Sequence, residues 1–332
     1  AKAALLTHSC TAALEMAAIL CDLRPGDEVI MPSFTFVSTA NAVVLRGAVP
    51  VFVDIDPTTL NIDPAQVAEA VTPRTRAIFA VPYAGFPADM DALADIAREH
   101  KLWLVEDAAQ ALGSTYKGRP AGSLGDLSAF SFHETKNIIS GEGGALCLNA
   151  GELTQRAEII REKGTNRSEF FRGEVGKYTW VDIGSSFLPG ELIAAFLYGQ
   201  LEREVDIRTR RVTIYEKYRA SFIDLAEAGH CRLPHQPPHT TGNGHMFYLL
   251  LPDRAARDGL IGFLREHDII APFHYIPLHS APAGAIYGRV HGTLPNTQKT
   301  SDTLIRLPMH FNLGSSINTI IAAVREWFAE QS

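Results

Sequence analysis

No apolar stretch in the chain reaches the length needed to span a membrane, and nothing at its start reads as a signal peptide. Lysine and arginine form no run. With 30 basic against 37 acidic residues and a formal net charge of -7, the composition argues against a nucleic-acid partner. Cysteine is scarce. Cys10, Cys21, Cys147 and Cys231 show no CxxC spacing, which removes the paired-cysteine zinc and redox motifs and reads as reduced thiols of a cytoplasmic protein. His235 and His239 have no cysteine or carboxylate beside them in "PHQPPH", so that segment reads as an exposed loop and no metal site is expected. Two nucleotide signatures are also missing. No GxGxxG joins a first strand to a helix, since "GEGG" instead precedes the strand-like "ALCLN", and there is no GxxxxGK[ST] loop. No internal repeat or low-complexity tract is visible.

What is present is an ordinary globular composition, 46% hydrophobic over 332 residues, large enough to divide into two domains. The first half alternates two periodicities. "TAALEMAAILCDL" has helical spacing with Ser9 or Thr11 as its cap, "DEVIMP" reads as a strand, and "FVSTANAVVLRG" reads as a helix closed by Gly47. "VPVFVDID" and "RAIFAVPY" are strands around a helix that starts with Asp63 as N-cap and Pro64 at its first position. "MDALADIAREH" and "LWLVEDAAQ" continue the series. Apolar runs without clean alternation suit strands covered on both faces, so the expectation is α/β: a mainly parallel, doubly wound sheet. From about residue 190 a long helical pattern runs away from this sheet. A loop rich in Pro, Gly and His follows, then strand "MFYLLL", a helix, strand "FHYIPLH" and a final helix. This predicts a large domain over 1–215 and a smaller C-terminal α/β domain over 216–332.

Ligands of open parallel sheets bind beyond the carboxyl ends of the strands, and three features fall there. "WLVEDAAQ" ends an apolar strand at Asp107, with Gln110 one turn later. "SAFSFHETK" places Ser131 and His133 on one strand face and Lys136 just past its end. "THSCTAA" sets Ser9, Cys10 and Thr11 at a helix N-terminus, where free N–H groups and the helix dipole suit a phosphate. A tethering amine, a carboxylate for a ring nitrogen and a phosphate cradle together point to pyridoxal phosphate. "PSFTF" offers Phe34 and Phe36 as an aromatic face for the ring.

The order of "SCTAALEMA", "PSFTFVSTANA", "VEDAAQA", "FSFHETKN", "GEGGAL", "KGTNR", "KYTWVDIGSS" and "FHYIPLH" resembles the DegT/StrS family of sugar-nucleotide aminotransferases over nearly the whole chain. Within that family it looks most similar to the dTDP-4-amino-4,6-dideoxygalactose transaminases. The resemblance implies the pyridoxal-phosphate-dependent transferase fold type I, like aspartate aminotransferase. It also implies a homodimer with shared sites and a role in cell-surface polysaccharide or antigen biosynthesis, with lipopolysaccharide or enterobacterial common antigen as the destination. By the family's pattern Lys136 holds the cofactor and moves protons, and Asp107 pairs with the ring nitrogen. Gln110 meets the ring hydroxyl side, Phe36 stacks, and Ser131, His133 and the turn Ser9–Cys10–Thr11 surround the cofactor and its phosphate. Ser186 stands where many members carry an asparagine that reaches the neighbouring subunit's phosphate, and Leu188 where they carry an arginine. Members usually carry a further N-terminal segment before "SCTA". For the substrate, Lys163, Asn166 and Arg167 lie on a basic loop suited to a nucleotide diphosphate, and His274, Tyr275 and His279 face the sugar from the second domain. The implied reaction moves an amino group from L-glutamate to a dTDP-4-keto-6-deoxyhexose. Three other readings stay open. A 3-keto sugar differs only in where its carbonyl sits. A sugar dehydratase on this fold would carry histidine in place of Lys136. A non-catalytic regulatory protein is disfavoured by intact "VEDAAQ" and "HETK".

Overall fold

The computed structural model describes residues 1–331. The apolar runs of the first half become β1 (Ala3–Thr7), β2 (Glu28–Pro32), β3 (Val49–Val53), β4 (Thr75–Ala80) and β5 (Trp103–Asp107). A short hairpin, β6 (Thr115–Tyr116) and β7 (Arg119–Pro120), leads to β8 (Leu127–Ser131) and β9 (Gly144–Leu148). Farther along lie β10 (Thr240–Thr241), β11 (Phe247–Leu250), β12 (Arg289–Val290) and β13 (Leu304–Leu307). The central sheet has eight strands in the order β1-β9-β8-β5-β4-β2-β3-β12. Only β9 runs against its neighbours, so the sheet is mainly parallel as expected.

Both faces are covered, which is why the strands read as continuous apolar runs. Alternate residues of β2 serve different cores. Val29 and Met31 pack with α1 (Cys10–Leu20), while Ile30 packs with α3 (Pro64–Ala70) and α4 (Met90–His100). Between them in sequence lies α2 (Val37–Val44), beside α1. The caps fall where the sequence puts them. Asp63 accepts the Ala65 N–H at 2.9 Å with Pro64 at the first helical position, and Ser9 accepts the Ala12 N–H at 3.1 Å.

The long helical pattern is two helices, Glu191–Leu201 and Glu204–Glu227, broken at Glu202–Arg203. The second crosses the expected boundary at 215/216 and buries Tyr215, Tyr218 and Phe222 against Phe247 of β11. β11 pairs antiparallel with β13, backed by the helices Arg254–Glu266 and Ser316–Glu330. One expectation fails. "FHYIPLH" is not a strand but an irregular segment ending in a short 3-10 turn, Leu278–Ser280. Pro272 and Pro277 remove ladder donors from its two ends. Its backbone instead docks on the large sheet's side, with the Leu278 N–H donating to the Ser33 carbonyl at 3.0 Å. The strand that pairs with β11 is β13, whose polar Arg306 hides it in the sequence.

β12, from the C-terminal region, joins the large sheet at β3. Arg289 of β12 donates to the buried Glu28 at 2.7 and 3.0 Å, and Arg74 and Thr72 donate to the same carboxylate. These donors, Arg289 foremost, hold Glu28 at about 2, below the ordinary 4.5. A depressed folded-state value means the stabilisation is complete above about pH 4.5 and is lost as pH falls toward 2. Glu28→Gln is therefore expected to lower stability by about 3 kcal/mol at neutral pH. Urea unfolding should show that deficit shrinking with acid, and a deficit independent of pH would contradict the assignment.

Candidate active site

Two acids end β5 and face opposite ways, as successive strand residues must. Glu106 accepts the N–H groups of Gly122, Leu124 and Gly125 and the Ser128 hydroxyl, at 2.8–3.2 Å. It anchors the turn into β8, a purely structural use of a buried carboxylate. Asp107, 4% exposed, points the other way. Its Oδ2 accepts from Thr39 Oγ1 at 2.6 Å, its Oδ1 accepts from the Ala109 N–H at 3.3 Å, and the Cys10 Sγ lies 4.0 Å away. Burial pushes the Asp107 carboxyl up, and Thr39, Lys136 and the Ala109 N–H pull it back. Cys10 is pushed well up by burial and by the Asp107 charge, so it is a neutral donor here rather than a nucleophile.

β8 ends at Ser131 and delivers His133 and Lys136 to the same cavity, about 450 Å³ in volume, which Asp107 floors. That volume lies within the range of small-molecule sites, roughly 300–1,000 Å³. Burial pulls the Lys136 ammonium below its ordinary value, Arg306 adds to the fall, and Cys10 and Asp107 oppose it. The amine makes no hydrogen bond or ion pair among the described residues. On the third side, Ser9, Cys10 and Thr11 open α1, whose first N–H groups have no partner within the helix. Gly144 makes this approach possible, because a side chain there would collide with the Ser9–Cys10 backbone. Of the "GEGG" glycines it is Gly144 that serves close packing under the helix start, whereas Gly143 lies against Ser140 and Phe132.

The other cavity residues link the two parts of the chain. Gln110 accepts the Ala84 N–H at 2.8 Å and donates to the Tyr275 hydroxyl at 2.9 Å. His274 stacks on Tyr275 at 3.6 Å between ring centres and shares a 2.7 Å hydrogen bond with Tyr83. Burial, then Arg306 and Lys136, hold His274 well below its ordinary value, so it is neutral. Phe36 lies at the cavity with 57% of its surface exposed, whereas Phe34 is core, packed on Tyr83.

Five sequence-predicted residues lie outside this cavity. His279 bonds Ser33 at 2.7 Å. Asn166 accepts the Thr179 N–H and donates to Glu169, bracing its own loop. Lys163 and Arg167 both pair with Glu162, at 3.6 and 3.7 Å. Ser186 is exposed and bridges to Glu162. Conversely, Thr39, His245 and Arg306 belong to the site and were not read from the sequence. Thr39 sits on the α2 face that packs inward, three residues beyond Phe36, and that spacing is the one signal that could have found it.

These donors fit pyridoxal phosphate. An unpaired amine faces a buried carboxylate, and a helix start bears free N–H groups across the same cavity. A mainly parallel, doubly wound sheet carrying that arrangement defines a pyridoxal-phosphate-dependent enzyme of fold type I. The chain belongs to the DegT/DnrJ/EryC1/StrS aminotransferase family, whose model matches residues 1–325. It is 36% identical, over 98% of its length and 85% of the relative's, to the spore coat polysaccharide biosynthesis protein SpsC of Bacillus subtilis. It is 34% identical, over 92% of its length and 79% of the relative's, to a dTDP-4-dehydro-2,3,6-trideoxy-D-glucose 4-aminotransferase of Saccharopolyspora spinosa. Spr1654 of Streptococcus pneumoniae, solved in its PLP form, superposes with a TM-score of 0.89 at 27% identity, covering 98% of this chain and 87% of that one. The protein is a sugar aminotransferase that depends on pyridoxal phosphate.

Proposed function

We propose that this enzyme moves an amino group from L-glutamate to the C4 carbonyl of a dTDP-4-keto-6-deoxyhexose, giving dTDP-4-amino-4,6-dideoxygalactose for a cell-surface polysaccharide. The observation that carries the choice of C4 is the 34% identity, along 92% of the chain, to an enzyme named for aminating a dTDP-sugar at that carbon. When bound, the cofactor supplies an aldehyde that exchanges amino groups and a ring that accepts electrons. The chain's own residues do the rest. Lys136, its ammonium disfavoured by burial, would hold the cofactor and, once displaced by the donor, would move a proton at Nζ between the donor's α-carbon and the cofactor's carbon across the nitrogen that joins them. In the second half of the cycle the same Nζ carries the proton back toward the sugar carbon. Asp107 would pair with the cofactor's ring nitrogen, its carboxylate steadied against burial by the Thr39 hydroxyl, the Lys136 charge and the Ala109 N–H. The first turn of α1, with Ser131, receives the phosphate. His274 and Tyr275 wall the cavity against water from the smaller domain's side, and Gln110 meets Tyr275 from the large domain's.

The account includes a cytoplasmic homodimer. Trp180 is 79% exposed and Leu192 87%, and Phe196 and Tyr198 are also uncovered, so the segment around 178–198 offers an apolar face for a second copy. In that dimer Ser186, Lys163 and Arg167 serve the partner subunit's cavity, which is how residues outside their own cavity reach a diphosphate. Among the described residues no helix is long and apolar enough to cross a membrane.

Supplying the amine-loaded enzyme with separate 3-keto and 4-keto dTDP-sugars, and identifying the products by mass spectrometry and proton NMR, tests the reading. The 4-keto sugar is expected to be aminated and the 3-keto sugar left unchanged. Amination of the 3-keto compound alone would overturn the choice of carbon.

A further inference from the structure

His245 lines the cavity that holds Lys136, at the entry to β11. Its backbone is held from two sides. The buried Arg211 donates to the Gly244 and His245 carbonyls at 3.0 and 2.7 Å, and the Asn243 side chain donates to the Gln110 and Leu112 carbonyls at 2.8 and 2.9 Å. The tautomer of the ring follows from one neighbour. Asn137 Nδ2 donates to the Asn243 carbonyl at 2.9 Å, which turns the Oδ1 of the same amide toward His245. That oxygen lies 3.1 Å from His245 Nδ1 and can only accept, so Nδ1 carries the proton. Burial, then Lys136, Arg211, His274 and Arg306, hold His245 well below its ordinary value, so the imidazole is neutral and its Nε2 bears a lone pair. Asn137 does not line the cavity, so Nε2 is the polar atom that the ring offers to it. No group among the described residues donates to that atom. His245 therefore presents a neutral, orientation-fixed acceptor whose donor must arrive with a ligand.

The chemistry of the three ligands identifies that donor. The cofactor's ring N–H belongs to Asp107, and its phosphate is an anion with no proton to give. The amino donor spends its amine in the reaction, and its remaining polar groups are carboxylates, which repel a lone pair. Only the keto sugar carries neutral O–H groups. In a 4-keto-6-deoxyhexose the reacting carbon lies between C3, which bears a hydroxyl, and C5, which bears a methyl group. We propose that His245 Nε2 accepts a hydrogen bond from the C3 hydroxyl of the keto sugar, setting how C4 faces Lys136 and selecting sugars that keep that hydroxyl. This rests on the 4-keto reading above. An acceptor placed for a hydroxyl rejects the analogue that lacks it, because its lone pair is then left without a partner.

The test compares dTDP-4-keto-6-deoxyglucose with its 3-deoxy analogue in the wild type, His245→Leu and His245→Gln. Wild-type kcat/KM is expected to be about 10–100-fold lower for the 3-deoxy sugar. In His245→Leu the hydroxylated sugar should fall to the level of the 3-deoxy one. His245→Gln, whose Oε1 can accept a hydrogen bond, should recover part of the difference. The L-glutamate half-reaction, followed by loss of the cofactor's yellow colour, should change far less than the keto-sugar half-reaction. Calorimetric titration of the holoenzyme with the unreactive dTDP-6-deoxyglucose and its 3-deoxy analogue should show the same pattern in affinity. Equal kcat/KM for the two keto sugars in the wild type, or undiminished discrimination in His245→Leu, would overturn the proposal. An equal loss in the glutamate half-reaction would overturn it too, making His245 a partner of Lys136 instead. Should His245→Leu not fold, the wild-type comparison and His245→Gln carry the test, and equal wild-type affinity for the calorimetric pair would count against the proposal. Failure of the wild type to aminate any 4-keto sugar would sink the functional reading instead, while the calorimetric pair would still report on the hydroxyl.

Discussion

Lys136→Ala is expected to abolish transamination, lowering turnover by more than about 10⁴-fold, because one side chain both tethers the cofactor and moves the proton. Stability should be untouched, since the amine makes no bond that the fold uses and burial already disfavours its charged form. Its neighbours hold the loop without it. The Lys136 N–H donates to the His133 carbonyl at 2.9 Å, and Asn137 donates to the Asn243 carbonyl at 2.9 Å. Thermal unfolding monitored by circular dichroism, beside single-turnover loss of colour with L-glutamate, separates the two effects. Colour loss at a comparable rate in the variant would remove Lys136 from the reaction.

Asp107→Asn is expected to keep the cofactor bound and to slow the proton shift by about 10²–10³-fold, the usual cost of one electrostatic partner at a developing charge. An amide has nearly the shape of the carboxylate. Its oxygen can still accept from Thr39 at the position where Oδ2 now does so, which preserves the tie between α2 and β5. What is lost is the negative charge that holds the ring nitrogen protonated. Single-turnover kinetics with bound cofactor quantified by absorbance would show intact occupancy with a slow reaction, and wild-type turnover would displace Asp107 from this role.

Both residues were legible in the sequence for the same reason. Each lies at a strand end beside a local signal, the acid after "WLV" and the lysine after "SAFSF", and strand ends are where a parallel sheet gathers ligands. Ser9–Cys10–Thr11 were legible because a helix start is also a local feature. The doubly wound architecture followed from apolar runs alternating with helical spacing. The direction of β9 did not, since an apolar run is silent about its partner's direction. Thr39 and Arg306 escaped because their roles depend on contacts across the chain. Thr39 meets Asp107 over a separation of 68 residues, and Arg306 enters from a strand whose polar middle broke the expected pattern. "FHYIPLH" misled in the opposite direction, its aromatic residues suggesting a strand that Pro277 ends. The basic loop shows a third kind of difficulty. Its cations were conspicuous, but Glu158, Glu162 and Glu174 lie within the same stretch and pair with three of them.

The absorbance of the purified holoenzyme through one full cycle tests the central claim most directly. The yellow colour should fade when L-glutamate is added, and it should return when a dTDP-4-keto-6-deoxyhexose follows, with one equivalent of aminated sugar formed per site. Persistence of the colour with L-glutamate and every other amino acid, or fading with no recovery on adding any keto-sugar nucleotide, would contradict it.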